Sequence, residues 1–202
     1  TPTPEGDSSG VVLRAEYLSG NVRDKLDLVR QAVAVDPCWQ HNVTALRAVL
    51  PPDLGPGEIT AALGAVWIPA EDHTLFMREV LQDRQAKVTH IHGSEWVVEG
   101  NKWSMSATHD WGTRRLTAPE LIQRLLTQTQ ILVKDSHTDR DGRTIDTLNA
   151  TETEAAQEKA RLLAERFAGW VWEDPERGAR LQAEYNRRFN SIVLRDYSAE
   201  GQ

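Results

Sequence analysis

The chain has 202 residues, a formal net charge of −7, and 40% hydrophobic and 26% charged residues. That length buries a real core, in one domain or a domain with a small annex. The balance of charge excludes a module that holds nucleic acid by charge alone, no run of ~18 apolar residues could span a membrane, and the single cysteine, Cys38, excludes a disulfide framework and suits a reducing cytoplasm.

Residues 1–16 open with TPTPEGDSSG, a composition that reads as a flexible lead or the edge of a segment cut from something longer. Val22, Leu26, Val29 and Val33 then recur at helical spacing, with Ser19 or Asn21 as cap and Asp36-Pro37 as stop. CWQHNVTALRAVL predicts a second helix, with Trp39, Val43, Leu46 and Leu50 on one face, and PPDLGPGE is a loop. GEITAALG reads as a short helix ended by Gly64, and a longer helix follows Pro69 to about Leu81, its first turn carrying Glu71 and Asp72.

The period then changes to two. KVTHIHG, EWVVEG and KWSMSAT, punctuated by Gly93-Ser94 and Gly100-Asn101, predict a three-stranded antiparallel meander. After the irregular HDWGTRR, Thr117, Pro119 and Glu120 mark the start of a capped helix. ILVKDS reads as a further strand, which the Asp-Gly pair in TDRDGRTIDT would return. TETEAAQEKARLLAERFAGWVW is a long helix, and Asp174-Pro175 opens the last one, PERGARLQAEYNRRFNSIV. The expected class is α+β, with helices flanking a small antiparallel meander and two long C-terminal helices at the end.

Several chemistries lack their motifs. There is no GxxxxGK phosphate loop, no GxGxxG after a strand, no GxSxG elbow, no HExxH and no paired CxxC. His90 and His92 would share a strand face, and His109 with Asp110 follows. Three imidazoles suit a divalent metal, although a solvated strand face explains the same spacing. Asp135 to Asp146 holds four aspartates but no glutamate at the twelfth position of a calcium loop, and reads as a hairpin.

Two stretches suggest binding. In ATHDWGTRRL, Arg114 and Arg115 precede a helix N-terminus and suit a phosphate, with Trp111 and the nearby Lys102 as further DNA-contact candidates; the ordinary alternative is that Trp111 plugs the core and the arginines pair with local acids. On the last helix, Arg187 and Arg188 suit DNA, while Tyr185 and Phe189 on it, with Trp170 and Trp172 just before it, suit a protein interface. A packing stripe of Leu181, Tyr185, Phe189 and Ile192 explains most of that pattern but not the recurrence of Asn186 and Asn190 beside the aromatics. Four of the seven tryptophans (Trp67, Trp96, Trp103 and Trp111) lie in the middle third, where most serve a core and one or two are free to stack on a ligand or base.

The strings YLSGNVRDKL, NVTALRAVLPPDLGPGEITAALGAVWIP, ATHDWGTRRLTAPELI and FAGWVWEDPERGARLQAEYNRRFNSIVLRDY follow one another between positions 17 and 197. Their order resembles the intermediate region of large bacterial, phage and plasmid proteins that fuse an adenine-specific DNA methyltransferase to a Swi/Snf-type superfamily-two helicase. In that family the region lies between the methylase module and the helicase ATP site. The methylase signature Asn-Pro-Pro-Phe/Tyr and a Walker box are absent here, so neither activity carries over. The resemblance implies one intermediate domain at 17–197 with a tail at 198–202. It would hold no cofactor of its own, S-adenosylmethionine and ATP with Mg belonging to the parent. Its implied role is non-catalytic: to couple the neighbouring methyltransferase and helicase domains and to contact double-stranded DNA, in the cytoplasm and away from any membrane, within a restriction-modification or phage-defence protein. The alternatives are a pure protein–protein interaction module and a metal-dependent enzyme built on the histidines.

Overall fold

The computed structural model describes residues 13–91, 95–138 and 142–196. In chain order the elements are α1 (Arg14–Tyr17), β1 (Gly20–Asn21), α2 (Val22–Val35), α3 (Gln40–Val49), α4 (Ala70–Leu81), β2 (Lys87–His90), β3 (Trp96–Glu99), α5 (Ala118–Leu126), β4 (Lys134–Thr138), β5 (Thr144–Leu148), α6 (Ala150–Glu173), α7 (Pro175–Phe189) and β6 (Ile192–Val193). A 3-10 turn at Pro37–Trp39 precedes α3, and a π-helical turn occupies Ser106–Asp110. The class is α+β, and the strands form three separate two-stranded antiparallel sheets, β1–β6, β2–β3 and β4–β5. Among the described residues no helix is long and apolar enough to cross a membrane.

Contacts gather the described residues into two compact units, one drawn from Leu13 to Ile59 with Ala179 to Asp196, the other from Thr60 to Gly178. In the first, Asn21 caps α2 by accepting from the Asp24 N–H at 3.1 Å, and the α2 stripe of Val22, Leu26 and Val29 packs with Tyr17, Val43 and Leu46. Lys25 ties off the end of α1 by donating to the carbonyls of Glu16, Tyr17 and Ser19 at 2.9–3.1 Å. The predicted last helix stops at Phe189, because Asn21 pairs with Ile192 and Gly20 with Val193. Ser191 C=O accepts from Val22 N–H at 2.9 Å, a non-local bond that local periodicity does not encode.

The recurring asparagines have a structural explanation. Asn186, 1% exposed, accepts from Leu54 N–H at 2.8 Å and donates to Leu54 C=O and Gln182 C=O, each at 3.0 Å. Gln182 also donates to Leu54 C=O at 2.9 Å, and Asn190 donates to Pro52 C=O at 2.7 Å and to Asn186 Oδ1 at 2.8 Å. One face of α7 thus presents amides at four-residue spacing that read the backbone of an extended Pro-rich segment. That segment has no ladder or helix to satisfy its own polar groups.

In the second unit Phe76, Met77, Leu121, Ile122, Leu163, Phe167 and Trp170 are fully buried. Phe76 meets the rings of Phe167 and Trp170 edge-on at 5.0 and 5.5 Å. Thr74 joins α4 to β2, its hydroxyl accepting from Val88 N–H at 2.9 Å and donating to Val88 C=O at 3.1 Å. Glu120 reaches back to the N–H and hydroxyl of Thr117, both at 2.9 Å, as the capping residues predict.

Two expected elements are replaced. The GEITAALG stretch makes turns, not a helix. Gly64 has φ +83°, and a side-chain carbon there would sit 2.4 Å from Leu126 O, so glycine lets the turn press onto the end of α5. The third strand of the meander is also absent. The open edge of β3 is filled by the Gln123 side chain of α5, which accepts from Val98 N–H at 2.9 Å and donates to Trp96 C=O. No edge remains for KWSMSAT to pair with.

Candidate functional site

The segment from Gly100 to Leu116, in the second unit, is a loop with almost every turn tied down. Asn101 N–H donates to Asp83 at 2.8 Å, and the Asn101 side chain accepts from Trp103 N–H at 2.9 Å, an Asx turn that ends the extended run. Ser104 Oγ accepts from Ala107 N–H at 3.1 Å and opens the π-helical turn, which closes through Trp111 N–H to Ser106 C=O at 3.0 Å. Lys159 of α6 donates to the carbonyls of His109 and Asp110 at 2.8 and 2.9 Å, completing the end of that turn. A side-chain carbon on Gly112 would lie 2.1 Å from Ala107 O and 2.5 Å from Ala118 N, so only glycine lets the loop pack here. Thr113 Oγ1 then accepts from Leu116 N–H at 3.0 Å.

This scaffold holds Trp103 outward at 88% exposure, with Met105 at 72%. Of the seven tryptophans Trp103 alone stands largely in solvent. Trp67, Trp96 and Trp170 are 6% exposed or less, and Trp39, Trp111 and Trp172 are half-buried. An indole costs free energy to leave in water, and its backbone is held so that it cannot fold back. Sequence reading grouped Trp103 with its neighbours and did not select it. The signal was present in Asn101 and Ser104, whose side chains compete with strand formation immediately before and immediately after Lys102-Trp103.

Most of the predicted cations are already engaged. Lys102 pairs with Glu120 at 3.2 Å, and Arg115 reaches Asp135 and Lys134 C=O, both at 2.7 Å. Arg187 and Arg188 both grip Glu184, so its single carboxylate offsets one of these two charges and engages both. Arg114 is exposed and has no carboxylate partner among the described residues. Burial disfavours ionisation of Glu120, but the Thr117 N–H and hydroxyl and Lys102 outweigh it and hold the carboxyl below its ordinary range. Asp135 is likewise held down, by Arg115 first and Asn149 second.

Of the interface candidates, Trp170 is corrected to a core residue. It is 2% exposed, donates through Nε1 to Glu79 at 2.7 Å, and carries Arg177 over its ring at 3.5 Å. Trp172 is half-buried beside Gly178. In the first unit Phe189 is 54% exposed, its ring 5.1 Å from that of half-buried Tyr185. His90 stacks on Trp96, its cross-strand partner, at 4.1 Å, and exposed His109 lies 3.2 Å from Asp110. His92 falls outside the described residues, as do Asp139 and Asp141 of the acidic hairpin. Among the described residues no three His, Cys, Asp or Glu side chains converge as a metal site.

The chain belongs to the family described as a domain of unknown function (DUF8437), whose pattern covers residues 62–191. No curated protein and no solved structure matches it.

Proposed function

We propose that this chain is a non-catalytic coupling domain of a protein that joins a DNA methyltransferase to a helicase, and that the Gly100–Leu116 loop docks a neighbouring module. One observation carries the reading: Trp103 is 88% exposed on a loop whose backbone is fixed by Asn101, Ser104, Lys159 and Gly112. A rigid, exposed tryptophan is the residue type that dominates protein interfaces, because little entropy is lost when it is covered. The partner is a flanking module of the same polypeptide, as the resemblance implies, and S-adenosylmethionine and ATP with Mg act on those modules. DNA contact is the second reading, supported by Arg114 of the same loop, which is exposed and has no carboxylate partner among the described residues.

Titrating this chain against the methyltransferase and helicase modules as separate proteins tests the first reading. Trp103→Ala should weaken binding about thirtyfold, the size of a ~2 kcal/mol hot spot. An unchanged affinity would overturn the docking role. Anisotropy with duplex DNA tests the second reading: affinity should fall steeply between 50 and 200 mM salt and drop with Arg114→Ala, and binding without salt dependence rejects it.

A further inference from the structure

His73 of α4 is 1% exposed, and both of its ring nitrogens face the backbone. Nδ1 lies 3.0 Å from Pro69 C=O, and Nε2 accepts from Gly64 N–H at 3.2 Å. A carbonyl can only accept and an N–H can only donate, so the imidazole is neutral with its proton on Nδ1. The ring packs against Trp96 of β3 at 5.0 Å and Phe167 of α6 at 5.1 Å, both uncharged. Among titratable neighbours, Asp72 on α4 favours the proton and His90 on β2 opposes it. Burial is the largest influence and depresses the affinity of the ring for a proton, ahead of the Pro69 carbonyl, which favours it.

The backbone of the segment that His73 holds is tied largely by short turns. Residues 60–69 carry short turn bonds, Ala65 N–H to Ala62 C=O at 3.1 Å and Ile68 N–H to Ala65 C=O at 3.0 Å, yet Leu63, Trp67 and Ile68 are buried. We infer that His73 is an acid-released latch: neutral, it pins the Gly64 turn to α4, and protonated, it lets residues 60–68 lift away while Pro69 still caps α4 and α4, α5 and α6 stay packed. A proton on Nε2 would set one N–H against another.

The sign follows from linkage. The latched ring resists protonation, whereas a released ring takes a proton near the ordinary ~6.5. The latch is therefore at full strength above about pH 6.5 and weakens as pH falls through and below that value, up to about tenfold per unit. Amide hydrogen exchange on the whole chain from pH 7.5 to 4.5, corrected for intrinsic rates, reads this directly. Protection at Gly64 and Ile68 should fall below about pH 6.5 while Leu121 and Phe167 hold theirs. Flat protection at Gly64, or a loss in step with Leu121, overturns the latch. His73→Gln keeps an acceptor and a donor without a titration and should remove the pH dependence. Should that variant not fold, the ring nitrogen shifts of the unaltered protein decide, since a proton on Nε2 at pH 7.5 contradicts the assignment.

Discussion

Replacing Asn186 should loosen the hold of α7 on the extended Pro-rich segment. Its amide makes two bonds to Leu54, one to Gln182 C=O and one to Asn190, at 1% exposure. In Asn186→Ala the Leu54 C=O keeps Gln182 as a donor, but Leu54 N–H loses the acceptor that Asn186 supplies. One buried group without its bond costs about 1–3 kcal/mol. With the small void left behind, the expected loss is roughly 2–4 kcal/mol. Asn186→Asp keeps the shape but aims a carboxylate at two carbonyls, so it should cost about 3–5 kcal/mol near neutral pH and recover in part on acidification. Urea denaturation gives the totals, and amide exchange at Leu54 gives the local effect. A loss under ~0.5 kcal/mol for Asn186→Ala, with Leu54 still protected, would refute the idea that these amides hold the Pro51–Gly55 strap.

Gly112→Ala should destabilise by more than ~3 kcal/mol or prevent folding, since its new methyl group would overlap backbone atoms of Ala107 and Ala118; thermal melting checks it. Arg115→Ala removes an exposed pair with Asp135 and should cost under ~1 kcal/mol by the same melt. Glu120 has a folded-state pKa below its ordinary value, so the stability it adds is present above about pH 4.3 and lost as pH falls through the folded value. Glu120→Gln should flatten that part of a stability-versus-pH curve.

Local signals made much of the fold legible. Asn21, Asp36-Pro37, Thr117-Pro119-Glu120 and Asp174-Pro175 mark helix ends with side chains that bond the nearest backbone, and all of these ends lie where the caps place them. What failed depended on distant partners. The KWSMSAT alternation reads as a strand, but Gln123, fifteen residues past its end, fills the edge it needed. The last helix stops early because residue 192 pairs with residue 21. GEITAALG lost its helix to the packing of Gly64 on α5. The aromatic-rich end of α6 looked like a docking surface, yet Trp170 faces Phe76, a contact with no trace in local spacing. The site itself was half-legible: residues 107–116 and Lys102 were marked, while the exposed tryptophan between them was not singled out.

Hydroxyl-radical footprinting of Trp103 and Met105, in the isolated chain and in the methyltransferase–helicase fusion proposed as its parent, tests the proposed coupling role most directly. Both side chains should oxidise readily in the isolated chain and be shielded in the parent, with Trp67 and Trp170 slow in both. Equal oxidation of Trp103 in the two samples would contradict it.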